Sequence, residues 1–242
     1  RRHEVPFTVT GREVHTADLN GDGNVDVLTD GAWYENDGSG NFSEHTITVG
    51  TTVHPADVNG DGDVDIVSGV NAVDARLEWH ENDGSGTFTA SHTITTDIAT
   101  PTDVTASDLD GDGDVDVVAT SSDDGADTDP DRTMWFENDG SGSFARKPIG
   151  VAKELQSVDV GDVDGTGDTD IVATDGSIIY WYDNDGSGRF FEEDLPLTID
   201  GTVTIATIQD VRATDVNNDG STDVVTASTP VGGNFPKQGK IA

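Results

Sequence analysis

The chain has no cysteine, one methionine and four lysines, Lys147, Lys153, Lys237 and Lys240. Without cysteine there is no disulfide and no thiolate metal site, and the redox compartment stays open. Twelve basic residues face 48 acidic ones, a formal net charge of −36 with a pI near 4.1. That balance excludes a nucleic-acid groove built on Lys and Arg and argues against an anionic membrane surface. No apolar run approaches the ~18 residues of a membrane span, so membrane insertion is not expected. No leader pattern is visible, and the first residue is Arg1 rather than Met, as expected of a mature form or a fragment.

Hydrophobic residues make up only 33% of the chain. Low hydrophobicity with high net charge is the composition of disordered segments. Here, however, the four Trp, eight Phe and many Val and Ile recur at regular places, so the chain is read as folded. An Asp-dense, Lys-poor surface is that expected of a protein from a salt-loving organism, where charge maintains solubility under strong screening.

The acid is patterned. Asp18–Asp26 reads DLNGDGNVD, and Asp57–Asp65 reads DVNGDGDVD. Asp108–Asp116 reads DLDGDGDVD, Asp162–Asp170 DVDGTGDTD and Asp215–Asp223 DVNNDGSTD. Their starts are 39 to 54 residues apart, the spacing of solenoids and propellers. A second motif follows each of the first four: WYENDGSGNF, WHENDGSGTF, WFENDGSGSF and WYDNDGSGRF, beginning at Trp33, Trp79, Trp135 and Trp181. Internal duplication accounts for both.

Each unit reads as four short strands. Val14, Val53, Val104, Val158 and Val211 stand four residues before each first Asp. A β-branched run follows the acidic loop, a third strand ends in Trp-x-Glu/Asp-Asn, and a fourth opens at Phe42, Phe88, Phe144 or Phe190 after a hairpin turn of Asn-Asp-Gly-Ser-Gly. Helical periodicity is absent over any useful length. The predicted fold is all-β, one domain over residues 1–242, a β-propeller of four-stranded antiparallel blades. His3-Glu4-Val5 matches His45-Thr46-Ile47, so the chain opens on a lone fourth strand and ends, at Gly239–Ala242, on the start of a third. Twenty strands would make five blades, with the N-terminal strand completing the last. The alternative is part of a larger, seven-bladed ring.

Within each loop, oxygen-bearing side chains fall at the first, third, fifth and ninth positions, a carbonyl is available at the seventh, and glycine holds the sixth. The candidate metal ligands are Asp18, Asn20, Asp22, Asn24 and Asp26; Asp57, Asn59, Asp61, Asp63 and Asp65; Asp108, Asp110, Asp112, Asp114 and Asp116; Asp162, Asp164, Thr166, Asp168 and Asp170; and Asp215, Asn217, Asp219, Ser221 and Asp223. Alternating carboxylates and amides around a tight turn resemble the first half of an EF-hand loop, without its helix or closing Glu. Oxygen-only ligands select Ca²⁺ over zinc or copper, and Mg²⁺ prefers fewer protein ligands. Up to five Ca²⁺ are expected, one per blade. The loop at Asp162 is expected to be weakest, because Thr166 takes the place of a carboxylate. The alternative is a set of solvated acidic hairpins.

These loops with their trailing apolar strands resemble the FG-GAP/VCBS repeats of the integrin α head and of many secreted microbial proteins. The resemblance covers essentially the whole chain. It implies a propeller with one calcium loop per blade, an extracellular or cell-surface location, and functions that range over adhesion, lectin-like sugar binding and propellers attached to polysaccharide-cleaving enzymes.

Hairpin topology puts the acidic loops and the Asn-Asp-Gly turns on one face. The opposite face varies, with Ser121–Arg132 the longest insert, and loops on a rigid scaffold are the usual place for binding. A second candidate ligand site is His15, His54, Thr105, Asp159 and Arg212, three residues before each first Asp and directed toward a central channel. Few nucleophile or base candidates remain, and a Ser-His-Asp set cannot be called from the sequence. The expected function is an adhesion or lectin-like module binding carbohydrate or a cell-surface protein. The alternatives are the propeller domain of a secreted polysaccharide lyase or hydrolase, or a structural part of a surface assembly.

Overall fold

A computed structural model describes residues 13–122, 133–147, 149, 155–193 and 205–230. The described residues form four consecutive antiparallel sheets of four strands, followed by a fifth of two. The first holds β1 (Val14–Ala17), β2 (Asp26–Thr29), β3 (Ala32–Asn36) and β4 (Phe42–Thr46). The second holds β5 (Thr52–Ala56), β6 (Asp65–Val70), β7 (Arg76–Asn82) and β8 (Phe88–Thr95). In the third are β9 (Thr100–Ser107), β10 (Asp116–Ser122), β11 (Thr133–Asn138) and β12 (Phe144–Lys147). In the fourth are β13 (Ser157–Gly161), β14 (Asp170–Thr174), β15 (Ile179–Asn184) and β16 (Phe190–Glu193). The last two strands, β17 (Ile205–Thr214) and β18 (Asp223–Pro230), pair with each other. Each four-stranded sheet is an up-and-down meander, the form of a propeller blade. Among the described residues there is no helix, and none long and apolar enough to cross a membrane.

The strand limits follow the motifs. Every second strand starts at the ninth residue of an acidic loop, every described third strand ends at the Asn of Trp-x-Glu/Asp-Asn, and every described fourth strand opens at its Phe. The proposed closing strand at His3–Val5, the residues Gly239–Ala242 and most of the insert Ser121–Arg132 lie outside the described residues.

The core lies between successive sheets. Ile66 packs with Leu19, Leu28 and Trp33 on one side of the second sheet, while its neighbour Val67 packs with Val104, Val117 and Phe136 on the other. Val117 and Val118 divide in the same way, as do Ile171 and Val172. All six are completely buried. A strand covered on both faces needs apolar side chains at adjacent positions, because consecutive residues point opposite ways. This is why each second strand carries an unbroken apolar pair.

The tryptophans join the sheets. A Cβ added at Gly86 would stand 2.6 Å from the Trp33 ring, and one at Gly142 2.5 Å from that of Trp79. Gly188 lies against Trp135 in the same way. Each ring thus lies under the hairpin turn of the following sheet, and the second glycine of the turn admits it. Trp33, Trp79 and Trp135 are 3–4% exposed. Their repetition is a packing device between sheets.

Candidate metal centres and the polar cluster of the first strands

Each acidic loop is wound around its first aspartate. The backbone N–H groups of Gly60 and Gly62 donate to the two oxygens of Asp57 at 2.9 and 3.0 Å. Those of Gly111 and Gly113 do so to Asp108 at 2.8 and 3.0 Å, and Gly165 and Gly167 repeat the distances at Asp162. In the first loop Asp22 and Gly23 donate to Asp18, and in the last Asn218 and Gly220 donate to Asp215. The third residue accepts from the fifth: Asn59 from Asp61 at 3.0 Å and Asp164 from Thr166 at 3.0 Å. The turn is therefore held by side chains that bond to backbone a few residues on.

The ninth residue has a different environment. Asp26, Asp65, Asp116 and Asp170 are fully buried at the start of their strands. One oxygen of Asp65 accepts the N–H of Val58 at 3.1 Å and the other that of Asn82 at 2.8 Å. Asp26, Asp116 and Asp170 are held identically, by Leu19 and Asn36, Leu109 and Asn138, and Val163 and Asn184. Burial pushes all four carboxyls up, Asp65 and Asp116 to about 6, against the lowering effect of the backbone bonds. Four buried acids beside other carboxylates are the setting in which a bound cation restores the charged form.

Two loops gather three carboxylates. Oxygens of Asp108, Asp110 and Asp116 all lie within 4.8 Å of one another, as do those of Asp162, Asp164 and Asp170. Either triad could hold a metal ion. Both consist of the first, third and ninth positions, and neither includes the fifth. Thr166, the ground for ranking its loop weakest, therefore lies outside the triad that this loop assembles. In the loops at Asp18, Asp57 and Asp215 the third position is Asn20, Asn59 or Asn217, so the matching set is two carboxylates and an amide oxygen. The side chains of Asn24, Asp63, Asp114 and Asp168, at the seventh position, lie against Gly38, Gly84, Gly140 and Gly186 in their own sheet's hairpin turn. Acidic loops and hairpin turns thus share a face.

The residues three before each first Asp lie on β1, β5, β9, β13 and β17, the strands by which neighbouring sheets adjoin. The rings of His15 and His54 meet edge to face, centroids 5.2 Å apart. Thr105 is 1% exposed. Asp159 accepts the N–H of Ala213 in the next sheet at 2.9 Å. Arg212 reaches Asp210 at 3.1 Å and Asp103 at 3.9 Å. Its charge is also felt at His54, which burial holds at about 3, while Glu13 raises Asp103 further after burial has lifted it, to about 7. Residues from all five sheets thus share one polar cluster.

Sequence reasoning missed the layer two residues earlier. Glu13 accepts the N–H of Val53 at 2.8 Å, Asp103 that of Val158 at 3.0 Å, and Ser157 that of Val211 at 3.3 Å. Each ties its strand to the valine of the next. The side-chain types differ from unit to unit, so no motif marked them, although all accept hydrogen bonds.

The model of the FG-GAP-like repeat matches four overlapping stretches, residues 18–68, 57–119, 108–173 and 162–226. The chain belongs to this repeat family. No curated protein matches the sequence. Among solved structures, a lectin of Agrocybe aegerita that recognises non-reducing terminal N-acetylglucosamine is similar at a TM-score of 0.62 with 22% identity. The match covers 91% of this chain and 61% of the lectin, so this chain spans about three-fifths of the lectin's length. A rhamnogalacturonan lyase of Bacillus licheniformis matches at a TM-score of 0.43 and 15% identity, over 86% of this chain and 49% of that one.

Proposed function

We propose that the chain is a calcium-binding β-propeller of five blades, the last closed by the N-terminal strand, that serves as a carbohydrate-binding module at the cell exterior. Calcium is the ion of choice because every candidate ligand is an oxygen, and carboxylates, amide oxygens and a backbone carbonyl around a tight turn match its coordination habit. The expected load is one ion per loop.

The observation that carries sugar binding is a groove of about 420 Å³ between the third and fourth sheets. Trp135 and Phe190, edge to face at 5.9 Å, form its apolar wall, and Glu137, Lys147, Ser187 and Arg189 supply polar groups. A concave site with an apolar wall and a few polar groups is the usual form of a small-ligand site. The corresponding position in the first two sheets is filled differently. His45 stacks on Trp33 at 4.3 Å and bonds Glu35 at 2.8 Å, and His92 stacks on Trp79 at 4.4 Å and bonds Glu81 at 3.0 Å. In the third sheet Lys147 pairs across from Trp135 and bridges to Glu137 at 2.5 Å instead. The fold-level likeness to a sugar-recognising lectin supports the same reading.

A glycan array probed with the calcium-loaded chain tests it. The expected result is retention on a defined set of glycans, reduced by Arg189→Ala with the melting temperature unchanged. Absence of retention on every glycan would set the sugar reading aside.

A further inference from the structure

We propose that His15 and His54 form a binding site for one divalent ion of the zinc class, separate in place and chemistry from the acidic loops. Neither the repeat motif nor the groove assigns a role to these histidines.

The two imidazoles lie edge to face on adjoining strands. Their centroids are 5.2 Å apart and their planes 66° from parallel. With metal–nitrogen bonds of about 2.0–2.1 Å, two imidazoles on one tetrahedral ion have centroids roughly 5 Å apart. The Nε2 atom of His15 is buried and has no hydrogen-bond partner, and neither has the buried Oγ1 of Thr105 in the same layer. Buried polar atoms are normally paired, so an orphan asks what is bound there.

The orphan has a cause in the sequence. In the fourth sheet the equivalent residue, Asp159, accepts the N–H of Ala213 from the next strand. The residue that would serve His15 in this way is Pro55, which has no N–H to give. The His15 ring is therefore left with a nitrogen that no backbone group in the next strand satisfies.

The His15 side of the cluster favours a cation. Glu13, Asp103, Asp159 and Asp210 face this cluster, against the single guanidinium of Arg212, which Asp210 holds at 3.1 Å. Oε2 of Glu13 lies 3.9 Å from Nε2 of His15. At His54 the neighbouring charge is Arg212, so the acid that a divalent cation offsets is Glu13, on the His15 side. Imidazole nitrogen suits zinc, copper and nickel, and oxygen donors suit calcium, so the pair and the loops do not compete for one ion. Water completes the coordination of the two-histidine site.

The test uses the full chain, stripped of metal and then held in millimolar Ca²⁺ to fill the loops. Calorimetric titration with Zn²⁺ is expected to show one equivalent bound. His15→Gln and His54→Gln should each weaken it at least as much as loss of a metal site's outer-shell partner does, about tenfold or more. His45→Gln and His92→Gln, whose rings are tied to Glu35 and Glu81 at the surface, should leave it unchanged. Should either buried variant fail to fold, the wild-type chain loaded with one Cu²⁺ still decides, since pulsed electron paramagnetic resonance counts coordinated imidazoles. Two imidazoles support the site. No Zn²⁺ uptake over calcium, uptake lost only with His45 or His92, or a single coordinated imidazole would overturn it.

Discussion

The side-chain amide of Asn82 donates to the carbonyl of Leu19, 63 residues earlier, at 2.8 Å. Leu19 is the second residue of an acidic loop in one sheet, and Asn82 ends the third strand of the next. The same amide also donates to Val64, and its oxygen accepts the N–H groups of Gly84 and Gly86. Asn138 and Asn184 reproduce the bond to the preceding loop, reaching Val58 and Leu109 at 2.7 and 2.6 Å. One side chain thus fixes its own hairpin turn, its own acidic loop and the acidic loop before it.

Asn82→Ala should therefore be costly for a polar substitution. It leaves buried carbonyls and N–H groups unpaired, each at about 1–3 kcal/mol when water cannot replace the partner. The expected loss is roughly 2–4 kcal/mol by urea denaturation. A loss below about 0.5 kcal/mol, the usual size of a surface substitution, would mean that the Asn does not join the sheets.

Glycine substitutions separate strain from packing. Gly113 has φ +96° with open space around its Cβ position, while Gly142 has φ +77° and would bring a Cβ to 2.5 Å from Trp79. Gly113→Ala should cost only the backbone strain of a left-handed residue, about 1 kcal/mol. Gly142→Ala should cost about 1–3 kcal/mol more, because the ring beneath the turn must move. Equal melting temperatures for the two variants would contradict the assignment of Trp79 to the joint between sheets.

Asp103 should give stability a negative slope against pH. Burial raises its carboxyl to about 7, above the ordinary 3.8. The folded state then holds a proton that the unfolded state has lost, so this contribution is complete below pH 3.8 and disappears as pH rises toward 7. Its steepest effect is about 1.4 kcal/mol per pH unit for one proton. Asp103→Asn should flatten the profile between pH 4 and 7 relative to wild type, read from urea midpoints at each pH. An identical slope in both would show that Asp103 titrates normally.

Much of this was legible in the sequence, because the elements that repeat are those under the same physical demand in every unit. The acidic loops, the Asn-Asp-Gly turns and the apolar pairs such as Val117-Val118 each solve one problem repeatedly, so their residues recur. The inner strands were less legible. Glu13, Asp103 and Ser157 do the same work with different side chains, since any acceptor can take the next valine's N–H. The ranking of the loop at Asp162 leaned on Thr166, whereas the carboxylates that converge are Asp162, Asp164 and Asp170, brought together by the strand start at Asp170. The open groove was also hidden, because it depends on one exchange, Lys147 where His45 and His92 stand, in a strand whose other residues vary freely.

Calcium titration of the metal-stripped chain tests the central claim most directly. Calorimetry should show uptake approaching five ions per chain, with Asp108→Ala and Asp162→Ala each removing about one. Calcium at 100 times its dissociation constant should stabilise the fold by about 2.7 kcal/mol per site, so chelation should lower the melting temperature. Absence of calcium uptake, or uptake that neither variant reduces, would contradict the assignment of the acidic loops as calcium sites.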